Sequence, residues 1–129
     1  MRKRKPALDK ESNLKIDKDC FVDQDWIRDY VRMVIATCLL KGIKVMRIQT
    51  SRTRKGFHFY IEVDPPVEAE LANRLQFLLG DDCARVDRNR ARIRSGLRRW
   101  NKLFEEAGTK LRTVYQHVRV LPPSIHLSL

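Results

Sequence analysis

Apolar residues recur at intervals of three and four along two segments, which predicts two amphipathic helices that each turn one side to a core. Asp23 or Gln24 is suited to cap the start of the first helix, and Gly42 suits the left-handed turn after its end. The second helix is predicted to start at the two prolines 65 and 66 and to stop at Gly80. The apolar positions are Trp26, Ile27, Tyr30, Val31, Val34, Ile35, Cys38 and Leu39 in the first helix and Leu71, Leu75, Leu78 and Leu79 in the second.

A period of two marks residues 57–63, FHFYIEV, as a strand with one face on a core and a second, exposed face. Asp64 and the prolines after it are predicted to end this strand. Asn13 to Asp17 and residues 43–50 are two further candidate strands, and the polar stretch SRTRKG is typical of a hairpin loop. The core-facing residues are Phe57, Phe59, Ile61 and Val63, and the exposed ones are His58, Tyr60 and Glu62.

The order strand, helix, strand, strand, helix needs one more strand to complete the ferredoxin-like or RRM-like βαββαβ arrangement. We therefore predict an α+β fold with a four-stranded antiparallel sheet and the helices on one face. A helix from Cys83 onward and a final strand through residues 99–106 are expected. The predicted organisation is a basic flexible tail over residues 1–12, an RRM-like domain over 13–107 and a basic C-terminal extension over 108–129.

Charge narrows the choice of partner. The 129 residues include 27 Lys and Arg against 16 Asp and Glu, a formal net charge of +11. Nucleic acid is the polyanion that such a protein most often binds, with an anionic membrane surface and acidic proteins as alternatives. No apolar run approaches the ~20 residues of a membrane span. Three cysteines without C-x-x-C spacing fit neither a disulfide framework nor a zinc site, so an intracellular location in the cytoplasm of a host cell is expected.

Two basic runs, over residues 41–55 and 83–102, supply candidate contacts to phosphate. A charge run is most often a solvated face, but arginine dominates the second run, and its planar fork binds phosphate with two hydrogen bonds. The exposed strand face next to the first run is predicted to contact bases or sugars by stacking and hydrogen bonding. The candidate nucleic-acid-binding residues are Arg47, Arg52, Arg54, Lys55, His58, Tyr60, Arg85, Arg88 and Arg92.

A pair of carboxylates offers a different chemistry. Asp17 and Asp19 form IDKD at the end of the first candidate strand, where a D-x-D places both carboxylates on one side, as a pair of ligands for Mg²⁺. His58 on a neighbouring strand would then contact a triphosphate. The alternative is that these aspartates only cap and solubilise, in which case no cofactor is required. The candidate catalytic residues of an enzyme are thus Asp17, Asp19 and His58, with the two aspartates as the metal ligands.

Short motifs add two family resemblances. KGFHFYIE is similar to the RNP1 strand signature of the RRM family. The aspartates near the first strand and SRTRKGFH before the third resemble motifs I and II of the archaeo-eukaryotic primase superfamily, whose catalytic half is RRM-like. The run from SRTRKGFHFYI to WNKLF also resembles small proteins encoded by archaeal viruses and plasmids. The primase resemblance implies that Asp17 and Asp19 are metal ligands and that Ser51 and His58 lie on the nucleotide side, with a non-catalytic relative as the favoured interpretation.

These observations together predict a nucleic-acid-binding protein for single-stranded or structured DNA or RNA, acting in the replication or expression of a mobile genome. A metal-dependent nucleotidyl transferase or nuclease related to primases is the first alternative. An interaction protein for an acidic partner is the second. A homodimer or a protein partner bound through the C-terminal tail is a further expectation, and a membrane partner is not expected.

Overall fold

The structure is a computed structural model that describes residues 8–118. It is an α+β fold with a four-stranded antiparallel sheet and, in the described part, three helices, which confirms the predicted class. Expectations for residues 1–7 and 119–129, which include most of the basic tail and half of the C-terminal extension, lie outside the described residues. The elements are β1 (Glu11–Lys18), α1 (Gln24–Leu40), β2 (Lys44–Arg52), β3 (Phe57–Val67), α2 (Ala69–Leu78), α3 (Cys83–Arg94) and β4 (Arg112–Gln116).

The order of the strands departs from the expected arrangement at its last member. The sheet runs β1-β3-β2-β4, so the fourth strand pairs with β2 instead of lying beside β1. Residues 99–106, expected as the final strand, form no helix or strand. The observed β4 lies instead in the segment 108–129 that the sequence suggests is an extension. A third helix, α3, also separates α2 from β4, so the order βαββαβ is not reproduced.

The first helix follows the sequence prediction except at Leu39, which was expected on the buried side and is exposed. The Asp23 side chain caps it by accepting a hydrogen bond of 2.8 Å from the backbone nitrogen of Trp26. Gly42, with φ of +73°, takes the left-handed conformation after its end. The side chains that it buries are Ile27, Tyr30, Val31, Val34 and Cys38. Among residues 8–118, no helix is both long and apolar enough to cross a membrane.

The second helix corrects two expectations about its start and its buried side. β3 continues through both prolines to Val67, and α2 begins only at Ala69. The prolines fit because the β1–β3 register shifts between Glu11 and Asn13, and such a bulge tolerates a residue without an N–H. Leu71 and Leu78 are exposed, because α2 packs on the sheet through a stripe with small residues. Its buried residues are Ala69, Ala72, Asn73, Leu75 and Gln76.

The core lies on the predicted face of β3. Phe59, Ile61 and Val63 are buried there with residues of β1, β2, α1 and α2, and Phe57 packs against them half-buried. The Phe59 ring lies 4.7 Å from the ring of Tyr30 between centroids. Aliphatic burial and a small aromatic cluster therefore hold both helices on the sheet.

Side chains, not a strand, cover the outer edge of β1. The backbone N–H of Lys15 donates to Gln76 Oε1 at 3.0 Å, and that of Asp17 donates to Asp81 Oδ1 at 2.9 Å. A strand edge otherwise presents such groups unpaired. The place beside β1 that a neighbouring strand would fill is thus taken by polar side chains from the part of the sequence that follows β3.

Two further side chains satisfy carbonyl groups on the same edge. Arg85 Nη1 donates to the backbone oxygen of Lys15 at 3.1 Å, and Asn101 Nδ2 donates to that of Asn13 at 3.4 Å. Arg85 Nη2 also donates to Asn101 Oδ1 at 2.6 Å, which joins α3 to the segment after it. We call the buried residues that cover β1 the edge network; they are Gln76, Asp81, Arg85 and Asn101.

Candidate nucleic-acid interface

The polar face of the sheet carries a row of three side chains across three strands. In the antiparallel register His58 lies opposite Asp17 on one side and opposite Ser51 on the other. The next row joins Tyr60 to Gln49 of β2 in the same way. His58 and Tyr60 therefore share a face, as their alternation with buried Phe59 and Ile61 in the sequence predicts. Ser51 and His58 are seven positions apart in the sequence and become neighbours because the β2–β3 hairpin pairs them.

One carboxylate from outside the sheet binds this face. Glu105 Oε1 lies 2.7 Å from His58 Nδ1 and accepts a hydrogen bond of 2.6 Å from Ser51 Oγ. The Tyr60 hydroxyl donates to the same oxygen. Sequence reasoning missed Glu105, because it lies in a segment expected to be a strand and its partners are far away in the chain. Its only sequence signal is a pair of acids after a long basic run.

The His58 ring is held between two carboxylates. Its Nε2 lies 3.5 Å from Asp17 Oδ1, on the side away from Glu105. Since an ionised carboxylate only accepts hydrogen bonds, His58 Nδ1 carries the proton in this contact and donates a hydrogen bond to Glu105. The ring is 8% exposed, so the open face expected around His58 is in fact covered, and by Glu105.

Burial and hydrogen bonds shift the pKa values of Glu105, Tyr60 and Asp17. Partial burial acts to raise the pKa of Glu105, but hydrogen bonds from Ser51, Tyr60 and His58 outweigh it and leave this pKa below the usual value. Burial and the bond to Glu105 raise the pKa of Tyr60, so its hydroxyl remains a donor. Burial, and then the Asp19 carboxylate, raise the pKa of Asp17.

A cleft of about 280 Å³ opens beside this row. Three cations of the β2–β3 hairpin line it, namely Arg52, Arg54 and Lys55, and so do the carboxylates of Asp17 and Asp19. The predicted basic loop and the predicted acidic pair therefore meet at one place. The other lining residues are Thr53, His58, Phe104, Glu105, Glu106 and Thr109.

The tip of the hairpin, residues 52–56, is fixed against the end of β1. Thr53 N donates to the oxygen of Gly56 at 2.8 Å, and Gly56 N donates to Thr53 Oγ1 at 3.0 Å, which closes the loop. Gly56 packs so closely that a Cβ there would lie 1.9 Å from the backbone oxygen of Lys18 and 2.6 Å from the nitrogen of Cys20. Glycine is thus required by close approach of two backbones, and that approach holds the cations of the tip at the cleft.

The remaining candidate residues do not line the cleft. Arg47 pairs with Glu62 at 3.2 Å, farther along the same sheet face. Arg88 is exposed on α3, and half-buried Arg92 on that helix donates to Asn89 at 3.4 Å. These arginines are separate from the hairpin tip, so the two basic runs do not form one surface through the cleft.

Arg85 departs most from its expected role. It is 4% exposed and belongs to the edge network, where its Nη1 lies 2.5 Å from Asp81 Oδ2. An exposed phosphate contact was expected because arginine rarely lies in a core. Here the α3 face that carries Arg85 packs against β1, and Asp81 and backbone oxygens take up its donors.

Within residues 8–118, no group of three or more His, Cys, Asp or Glu side chains is arranged to hold a metal ion. Asp17 and Asp19 nevertheless lie close enough for the Asp19 carboxylate to raise the pKa of Asp17. Mg²⁺ is commonly held by one or two carboxylates with substrate phosphates and water completing its shell. Asp17 and Asp19 are thus the residues that would contact a cation bound together with a phosphate ligand.

Models of protein families, curated proteins and solved structures were compared with this chain, and none of them matches it. The charges and geometry of the cleft are therefore what carries the functional inference.

Proposed function

We propose that this protein binds single-stranded nucleic acid in the cleft beside His58. One observation carries the proposal: Arg52, Arg54 and Lys55 line the same small cleft, on a loop whose position is fixed by close backbone packing. The net charge of +11 favours approach of a polyanion from any direction. The fixed cations supply the place where its phosphates bind.

The shape of the cleft favours an open strand over a duplex. Its volume of about 280 Å³ is near the lower end of ligand pockets, which suits one nucleotide unit at a time. Phe104, whose side chain is 85% exposed, lines the cleft and offers a free aromatic face for stacking. Tyr60 is half-buried with its hydroxyl bound to Glu105, so Phe104 is the better candidate to stack on a base.

Salt-dependent binding tests the proposal. The affinity for a labelled single-stranded oligonucleotide, measured by fluorescence anisotropy at several salt concentrations, should fall steeply with salt because counterions are released. Replacing Arg52, Arg54 and Lys55 with Ala should weaken binding and reduce the log–log slope by roughly 2, at about 0.7 per lost phosphate contact.

A control of equal charge separates a specific site from net charge. Arg28, Arg32 and Lys41 are exposed on or next to α1, away from the cleft-lining residues, and their triple Ala variant removes the same three charges. This variant should keep most of the affinity. Equal losses in the two triple variants, or a flat salt dependence in the wild type, would remove the cleft as the binding site.

A metal-dependent nucleotidyl transferase or nuclease is the second candidate, favoured by the position of Asp17 and Asp19 in the cleft that holds His58. The resemblance to primases supports the same assignment. We expect no turnover from the isolated chain, because two carboxylates and one small cleft are a minimal metal site. Nucleotide incorporation or strand cleavage that needs Mg²⁺, and that the Asp17→Asn/Asp19→Asn variant loses, would replace the binding proposal with this one.

A further inference from the structure

We infer that Ser51, His58 and Tyr60 form an anion subsite beside the cleft, and that Glu105, which lines the cleft, occupies it until a phosphate group displaces the carboxylate. The identity of the displacing ligand rests on the proposed function. The subsite itself rests on the contacts of Glu105 and is tested separately below.

The convergence of donors is the main evidence. Two hydroxyl groups and one ring N–H point at the single oxygen Oε1 of Glu105, at 2.6 Å for Ser51 and 2.7 Å for His58. These are the separations of charge-assisted hydrogen bonds to an anion. A phosphate oxygen is an acceptor of the same kind, so the three donors fit either group.

The donors are fixed, and the acceptor is not held by regular structure. Ser51 lies on β2 and His58 and Tyr60 lie on β3, paired strands that hold the row in register. Glu105 lies between α3 and β4 in residues 95–111, which form no helix or strand. Exchange of the anion therefore needs movement around Glu105 only, and the sheet and the edge network stay as they are.

The charges around the subsite favour exchange when a polyanion arrives. The cleft is lined by four carboxylate residues, Asp17, Asp19, Glu105 and Glu106, against the three cations of the hairpin tip. A nucleic-acid strand on the tip would bring its phosphates close to both glutamates, and like charges repel in such a cleft. Withdrawal of Glu105 removes that repulsion and frees three donors at the same moment.

Two matched substitutions test the inference. Glu105→Gln and Glu106→Gln each remove one negative charge from the cleft, but only the first weakens the ligand that fills the subsite. The probes are inorganic phosphate, followed by the NMR shifts of the His58 ring, and a labelled oligonucleotide, followed by anisotropy. Thermal unfolding of each variant establishes that it is folded.

We expect Glu105→Gln to bind both probes several-fold more tightly than the wild type and more tightly than Glu106→Gln. The gain should vanish when Ser51→Ala is added, because one donor of the subsite is lost. Equal gains in the two Gln variants would show that only charge matters and would overturn the subsite. So would weaker phosphate binding by Glu105→Gln.

Failure of the inference is distinguishable from failure of the proposed function. If oligonucleotide binding depends on the hairpin cations but the Gln variants do not differ, the cleft binds nucleic acid without this exchange. If phosphate binds the Glu105→Gln variant through Ser51 while oligonucleotide binding is flat in salt, the subsite holds and its ligand is a small phosphorylated molecule.

Discussion

The buried pair of Arg85 and Asp81 sets the largest single-residue effect on stability that we predict. The side chains of Arg85 and Asp81 are 5% and 0% exposed, and Arg85 Nη1 lies 2.5 Å from Asp81 Oδ2. Arg85 also donates to the backbone oxygen of Lys102 at 3.2 Å, to the backbone oxygen of Lys15 and to Asn101 Oδ1. Arg85→Ala leaves the Asp81 carboxylate buried without its cation, and breaking a buried pair in this way costs about 3–5 kcal/mol.

Urea unfolding followed by tryptophan fluorescence measures this cost, because Trp100 is fully buried next to Asn101 of the edge network. Adding Asp81→Asn to Arg85→Ala removes the stranded charge, so the double variant should recover part of the lost free energy. Arg88→Ala is the matched control on the same helix, and because Arg88 is exposed it should change stability by no more than about 0.5 kcal/mol.

The dependence on pH gives this prediction a definite sign. Burial raises the pKa of Asp81 and the Arg85 guanidinium opposes that rise, so the loss of Arg85 raises this pKa further. A carboxyl whose folded-state pKa exceeds its unfolded value destabilises the fold above that pKa and ceases to do so once protonated. The cost of Arg85→Ala should therefore shrink as the pH falls. A cost below about 1 kcal/mol at neutral pH, or one that grows in acid, would refute the pairing described here.

Three further outcomes are expected. Gly56→Ala should lower the free energy of unfolding by about 1–3 kcal/mol and weaken oligonucleotide binding, because the new Cβ meets backbone atoms; unchanged urea unfolding would contradict the packing. Phe59→Ala should cost about 3–5 kcal/mol in the same assay, and lost binding without lost stability would mean that its face is not core. Hydrogen bonds lower the pKa of Glu105, so the stability that the ionised Glu105 contributes is present above its usual pKa. This stability is lost as the pH falls through the pKa of Glu105 in the folded protein. The difference in melting temperature between wild type and Glu105→Gln should therefore shrink in acid.

Local periodicity carries most of what the sequence predicts correctly. The cap at Asp23, the turn at Gly42 and the two faces of β3 each depend on residues within a few positions of one another. The meeting of the hairpin cations with Asp17 follows from the pairing of β1 with β3, which the hairpin pattern and the α+β class already favour. Such features need little knowledge of the whole fold.

Long-range contacts account for what the sequence does not predict. Glu105 reaches His58 from 47 residues away through an irregular segment, and no periodic pattern encodes such a contact. The pairing of β4 with β2 depends on the path of the chain after α3, where Gly96 ends the helix. The burial of Arg85 had one local signal, an aspartate four residues before it, which is the spacing of a helical ion pair.

The cover on β1 has a consequence for how this fold tolerates mutation. A strand that protects a sheet edge does so with backbone groups, which only a substitution to proline removes, whereas here the protection resides in four side chains. Replacing Gln76 or Asn101 with an apolar residue would leave β1 able to pair with a strand of another molecule. Such variants would be lost to self-association at concentrations where the fold itself is still stable. Selection on these positions would then follow solubility as much as thermodynamic stability.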